Sequence, residues 1–126
     1  MKLSLRKERL AVCQLAPDAP VPAWISGRDG FCSMTRTSEE LSIVCLESLV
    51  PAGVKQETGW VMLKVEGPLD FGLTGVLAAI ATPLAQAGIS IFSIATFNTD
   101  YVLVKEARVA EAVRALQAAG HAVIID

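Results

Sequence analysis

The chain has one histidine and one tyrosine, and only 6% of its 126 residues are aromatic. With a single histidine, no Ser-His-Asp or Cys-His catalytic arrangement is assured. His121 follows a helix-like run and reads as a solvated cap interacting with the helix dipole. Cysteine is scarce as well: Cys13, Cys32 and Cys45 are odd in number, widely spaced and set in apolar, strand-like runs. No pair has zinc-ligand spacing, and buried free thiols in a reducing compartment are preferred to a metal site or a disulfide.

Charge is sparse too. Charged residues make up 19% of the chain, with 11 basic against 13 acidic side chains and a net charge of -2. No overall basic field exists to hold nucleic acid or an anionic membrane. The basic cluster Lys2, Arg6, Lys7 and Arg9 reads as a flexible solvated tail. Base-stacking aromatics are missing from the strands, which offer mainly Ile, Val, Ser and Ala. Gly67, Gly72 and Gly75 are not followed by Lys-Ser/Thr, so no phosphate loop is present. An acylphosphatase would need an arginine in the same turn, and Gly67 to Gly75 contains none. The pair Glu39-Glu40 is most simply a solvated turn. Nothing in the chain argues for an enzyme, a metal or a cofactor.

What the chain does have is aliphatic surface. It is 52% hydrophobic with a mean hydropathy of +0.48, which excludes disorder and allows one compact domain or two small lobes. From Phe71 to Thr99 no charged residue occurs. A membrane span needs about 20 apolar residues, yet this run is broken by Gly72, Gly75, Pro83 and Gly88. Its apolar period also changes halfway, so it reads as a buried helix followed by a strand. No secretory signal is visible at the N-terminus, and a cytoplasmic location is expected.

Residues 1–58 read as short strands joined by loops. Strands are expected at Glu8–Leu15, Phe31–Thr35 and Leu41–Glu47, with turns at Ser26–Gly30 and Thr37–Glu40. The prolines of Ala16–Pro22 forbid regular pairing there, and Trp24 is expected to hold that loop on the sheet. Residues 59–126 are more regular. A strand at Gly59–Glu66 is followed by a turn at Gly67–Asp70. Leu73, Val76, Leu77, Ile80, Leu84 and Ala87 then fall at helical spacing. Pro83 should kink that helix, and Gly88 should end it. Ile89–Phe97 and Asp100–Lys105 form a hairpin about Asn98-Thr99. A second amphipathic helix carries Val109, Ala112, Val113 and Leu116 inward, Gly120 caps it, and Ala122–Ile125 is the last strand.

The order strand-helix-strand-strand-helix-strand is that of a ferredoxin-like α+β sheet with two helices on one face. Residues 1–58, with 1–8 as a tail, look like a degenerate, mostly β copy of the complete unit at 59–126. Within that unit, the amides of Leu73 to Val76 start a helix where an anion is favoured. Gly75 permits close approach to its backbone, and Asp100 stands ready to pair with a ligand cation.

The runs Val65–Ile80, Pro83–Ile91 and Thr96–Val104 resemble the ACT-domain family. Within that family they resemble small bacterial tandem-ACT proteins and the CASTOR arginine sensors, and are similar to the regulatory ACT domains of aspartate kinases. Phe31–Val44 resembles the first, incomplete ACT lobe of the same group. The resemblance implies a regulatory protein without catalytic activity that binds a free amino acid at an ACT–ACT interface. Gly75 and Val76 match the helix-start amides, and Thr96, Phe97 and Asp100 match the strand-turn residues that hold the ligand. Ser90 and Ile91 match positions reaching in from a neighbouring lobe, which implies a homodimer; a regulated enzyme or other protein partner is also implied. Leu73 and Thr99 depart from the arginine-sensing pattern, which has an acidic residue and an aromatic at the matching positions. The alternative is a structural dimerisation or interaction module with a vestigial ligand site.

Overall fold

Leu3 and Leu5 alternate with Lys2, Ser4 and Arg6 in the two-residue period of a half-buried strand. In the computed structural model, which describes residues 1–25, 30–67 and 74–125, these residues do lie in a strand: β1 runs Lys2–Leu15, with Ser4 buried alongside the two leucines. The segment expected as a flexible tail is therefore a strand, with Leu3 fully buried and Leu5 nearly so. The remaining strands are β2 (Ser33–Arg36), β3 (Leu41–Leu46), β4 (Lys55–Val65), β5 (Phe92–Ala95), β6 (Asp100–Lys105) and β7 (Ala122–Ile125), with helices α1 (Val76–Gln86) and α2 (Val109–Ala118). The expected turns at Ser26–Gly30 and Gly67–Asp70, and Leu73 at the helix start, fall wholly or partly outside the described residues.

Two compact units are present. One combines Met1–Lys7 with the chain from Val61 onward, and the other is Glu8–Trp60. The first unit thus takes a strand from the far N-terminus. Among the described residues five strands, not the expected four, serve this unit, in the order β7-β1-β4-β6-β5. β1 pairs in parallel with β7, Leu3 opposite Val123 and Leu5 opposite Ile125, and on its other side the Lys2 carbonyl accepts from the Glu66 amide. β5 and β6 form the expected antiparallel hairpin, with Ala95 opposite Asp100.

The core of this unit joins one sheet face to both helices. Leu3, Leu5, Val61, Leu63, Val65, Val102 and Val104 pack with Ile80 and Leu84 of α1 and Ala112 and Leu116 of α2. Val109 and Val113 complete the expected α2 stripe, and Val76 joins that of α1. Leu77, by contrast, is exposed. Both helices close in the same way. Gly88 and Gly120 adopt positive φ. The amides of Ile89 and Gly88 reach the Leu84 and Ala85 carbonyls, while those of His121 and Gly120 reach Leu116 and Gln117. This is the Schellman pattern, which satisfies carbonyls a helix end would leave bare.

Pro83 sits inside α1, which nevertheless runs unbroken from Val76 to Gln86. Proline has no N–H to give the carbonyl four residues back, here that of Ala79. His121 Nε2 supplies the donor at 2.9 Å, and its Nδ1 lies 3.0 Å from the Met1 backbone nitrogen. His121 is therefore a buried link between elements, not the solvated cap expected from its position.

The second unit pairs β2 with β3 and β3 with β1 in antiparallel fashion. Ala11, Cys13, Leu41, Ile43 and Cys45 form its core, against which Trp24 and Ala19 of the proline-rich loop pack. Arg36 ties that loop down by donating to the Pro17 and Ala19 carbonyls at 2.5 and 2.8 Å.

Candidate functional site

The site residues fall at two ends of the first unit. α1 begins at Gly75, whose φ of 75° is left-handed. A Cβ built at Gly75 would meet none of the described residues within 4 Å, and the left-handed φ alone already calls for glycine. Among the described residues no side chain caps this helix start, and the first amides of a helix are where an anion is favoured. Val76 packs its side chain against the core and has chiefly its amide to offer.

The β5–β6 turn is locked by its own threonines. The Thr96 amide and hydroxyl both donate to the Thr99 carbonyl at 2.9 Å, and the Thr99 amide returns a bond to Thr96 Oγ1 at 3.4 Å. Thr99 is buried, and its hydroxyl donates to the Val65 carbonyl at 2.6 Å. That bond pins the turn to the end of β4, the same end from which the chain leads on to α1. Removing it by Thr99→Val, which keeps the shape, is expected to cost about 1–3 kcal/mol because the carbonyl loses its donor in a buried place. Thr99→Ser should retain most of the stability, and urea denaturation of the two variants checks this.

Asp100 opens β6 directly after the turn and is partly exposed. By strand alternation it shares a face with Val102 and Val104, whose side chains meet α1 and α2 in the core. The carboxylate thus lies on the helix-bearing side of the sheet, at the end where β4 gives way to the chain leading to α1. Phe97 in the turn is 80% exposed. Thr96, Phe97 and Asp100 therefore lie together at this turn, while Gly75 and Val76 open α1.

Ser90 and Ile91 do not join them. They follow the far end of α1, whose 11 residues span about 16 Å at 1.5 Å per residue. Ser90 is exposed, while Ile91 packs against the core.

The opposite sheet face carries a hollow of about 120 Å³ lined by Lys64, Gly67, Asn98, Thr99 and Tyr101. Sequence reasoning missed it. Its only signal was Lys64, a charge interrupting the apolar run Val61 to Val65. Lys64 there lies 3.8 Å from Glu66, whose carboxylate also accepts from Ser4 at 3.2 Å. At the start of α2, Arg108 holds the Glu111 carboxyl below the usual range by hydrogen bond and charge and reaches the Ala87 and Gly88 carbonyls. Among the described residues, no group of three His, Cys, Asp or Glu side chains is placed to hold a metal ion, and no helix is long and apolar enough to cross a membrane.

The sequence profile of the ACT domain matches residues 55–118. The chain belongs to the ACT-domain family. A second profile, of an N-terminal domain, matches residues 8–53, so the ACT domain is preceded by a region with relatives of its own. A crystal structure of a protein from Agobacterium tumefaciens superposes with a TM-score of 0.92 at 36% identity, over 99% of this chain and 92% of that one. The regulatory subunit of aspartate kinase from Thermus thermophilus, in its ligand-free form, shares the fold, with a TM-score of 0.63 and 16% identity over 94% and 96% of the two chains. The human protein named cytosolic arginine sensor for mTORC1 subunit 1 is 44% identical over 59 residues, 46% of this chain and 18% of that protein. The ACT-domain chain therefore spans a small part of the length of that sensor.

Proposed function

We propose that this ACT-domain protein is a non-enzymatic regulator that binds a free amino acid. The ligand carboxylate meets the amides at the start of α1, and its cationic group meets Asp100. The position of Asp100 carries the reading: it is a carboxylate on the helix-bearing face of the sheet, at the end where the turn is pinned to β4. Phe97 supplies exposed apolar surface beside it. The similarity to an arginine sensor supports an amino acid as the ligand class.

Ser90 and Ile91, at the other end of α1, reach such a site only from a second copy. The proposal therefore includes a two-fold homodimer in which each protomer completes its partner's pocket, and a protein partner that reads the bound state. The protein acts in the cytoplasm.

Thermal unfolding in the presence of each of the twenty amino acids tests the proposal. A ligand that binds only the folded chain stabilises it by about 2.7 kcal/mol at a hundredfold excess over Kd, so at least one amino acid should raise Tm. Asp100→Ala should then weaken that ligand by about 10–100-fold, the effect of losing one charged hydrogen bond. If millimolar amino acids leave Tm unchanged, the sensor reading falls and a purely structural interaction module takes its place.

A further inference from the structure

The second unit gathers all three thiols. Cys13 and Cys45 are buried, and the half-buried Cys32 packs against the cluster that contains both. The strand registers distinguish the two possible partners of Cys45. Between β1 and β3, Cys45 lies opposite Ala11, and Cys13 lies opposite Ile43. Cys13 and Cys45 are thus diagonal neighbours whose thiols hydrogen-bond each other, while diagonal positions in such a pair have Cα atoms about 7–8 Å apart. That is outside the range of about 4.4–6.8 Å that a disulfide spans. Between β2 and β3 the register runs from Arg36 opposite Leu41 to Ser33 opposite Val44. Cys32 directly precedes β2, and continuing that register by one step sets it opposite Cys45. Opposed residues of an antiparallel pair have Cα atoms about 4.5–5.5 Å apart, within the disulfide range.

We propose that Cys32 and Cys45 form an oxidisable pair that peroxide closes into a cross-strand disulfide, with Cys13 remaining a reduced neighbour. Cys32 is the most accessible of the three, so its thiolate attacks one oxygen of hydrogen peroxide. The O–O bond breaks, Cys32 becomes a sulfenic acid, and the departing hydroxide takes up the thiol proton as water. The Cys45 sulfur then attacks Cys32 sulfur; the S–S bond forms, the S–O bond breaks and a second water leaves. Two thiols are oxidised to one disulfide, and one peroxide is reduced to two waters.

Burial sets the pace. It holds the Cys32 thiol above its ordinary pKa and pushes Cys45 up to about 12, so both are protonated at neutral pH. Only the thiolate attacks, and below a thiol's pKa its fraction rises about tenfold per pH unit. Closure should therefore be slow at neutral pH and accelerate in mild alkali.

The test treats the full chain with hydrogen peroxide at neutral and mildly alkaline pH, alkylates the remaining thiols and maps the peptides without reductant. The expected product is a Cys32–Cys45 linked peptide with Cys13 alkylated, formed faster in alkali. The closed protein should unfold several degrees higher, a shift that dithiothreitol reverses. Cys13→Ser should still form the bridge, and Cys32→Ser should form none. A Cys13–Cys45 bridge in the unaltered chain, a dimer linked through Cys32, or Cys32 oxidised beyond the sulfenic acid without any bridge would each overturn the assignment. The peptide map of the unaltered protein decides among these without depending on the folding of either variant.

Discussion

Replacing Leu3 by alanine is expected to destabilise the protein by about 3 kcal/mol, within the range of about 2–5 found for truncating buried leucines. Leu3 is fully buried in a core shared by β4, β6 and both helices, and its strand lies between β7 and β4. The vacated volume borders Val123 on the facing strand, and a side chain so enclosed has little room to be replaced by collapse. Typical domains are stable by only about 5–15 kcal/mol, so Leu3→Asp, which buries a charge at the same place, should abolish cooperative unfolding of the first unit. Lys2→Ala, one residue away on an exposed position, should change stability by no more than about 0.5 kcal/mol. Urea titration separates the cases: the Leu3→Ala midpoint falls with little change in slope. An unchanged midpoint would return residues 1–7 to the status of a tail.

The reason this strand was hard to read lies in its neighbours. Lys2, Arg6, Lys7 and Arg9 dominate the composition of the segment, and charge density is the usual mark of a solvated end. The alternation of Leu3 and Leu5 was present but short. The residues it pairs with, Val123 and Ile125, are at the opposite end of the sequence, where no local pattern connects them. The two helices were legible for the opposite reason. Val109, Ala112, Val113 and Leu116 repeat within one segment, and Gly88 and Gly120 mark the ends through backbone chemistry that is local. The charge-free run from Phe71 to Thr99 was divided correctly into α1 and β5 by its change of period.

The candidate site was legible in the same uneven way. Asp100 stands out because it ends that charge-free run, and Gly75 because a glycine at a helix start lets a ligand carboxylate approach its backbone closely. Which sheet face Asp100 takes follows from Val102 and Val104 beyond it, which pack in the core with both helices. The part played by Thr99 was not legible: its hydroxyl bonds a carbonyl 34 residues away. Ile91 and Val76 match family site positions by resemblance, but their side chains pack against the core. Any part they take in binding runs through their backbone and the small surface they leave exposed.

The second large effect concerns the lone histidine. His121→Ala removes a buried ring, the donor to the Ala79 carbonyl and the acceptor facing the Met1 nitrogen. Lost hydrogen bonds and the void together are expected to cost about 2–4 kcal/mol. Pro83→Ala tests the reason His121 is needed, because it restores an N–H four residues beyond Ala79 and so gives that carbonyl a donor inside the helix. In the Pro83→Ala background, His121→Ala should therefore cost less, by about 1 kcal/mol, the net worth of one hydrogen bond. The two positions would then show a coupling energy well above the scatter of independent sites. Strict additivity in the four-member cycle would mean that His121 acts through packing and the Met1 contact alone. A His121→Gln variant separates these contributions further, since its amide can still donate one bond but cannot bridge both partners as the imidazole does. Should Gln recover stability only when residue 83 is proline, the donor to Ala79 is what selects a hydrogen-bonding side chain at this buried position.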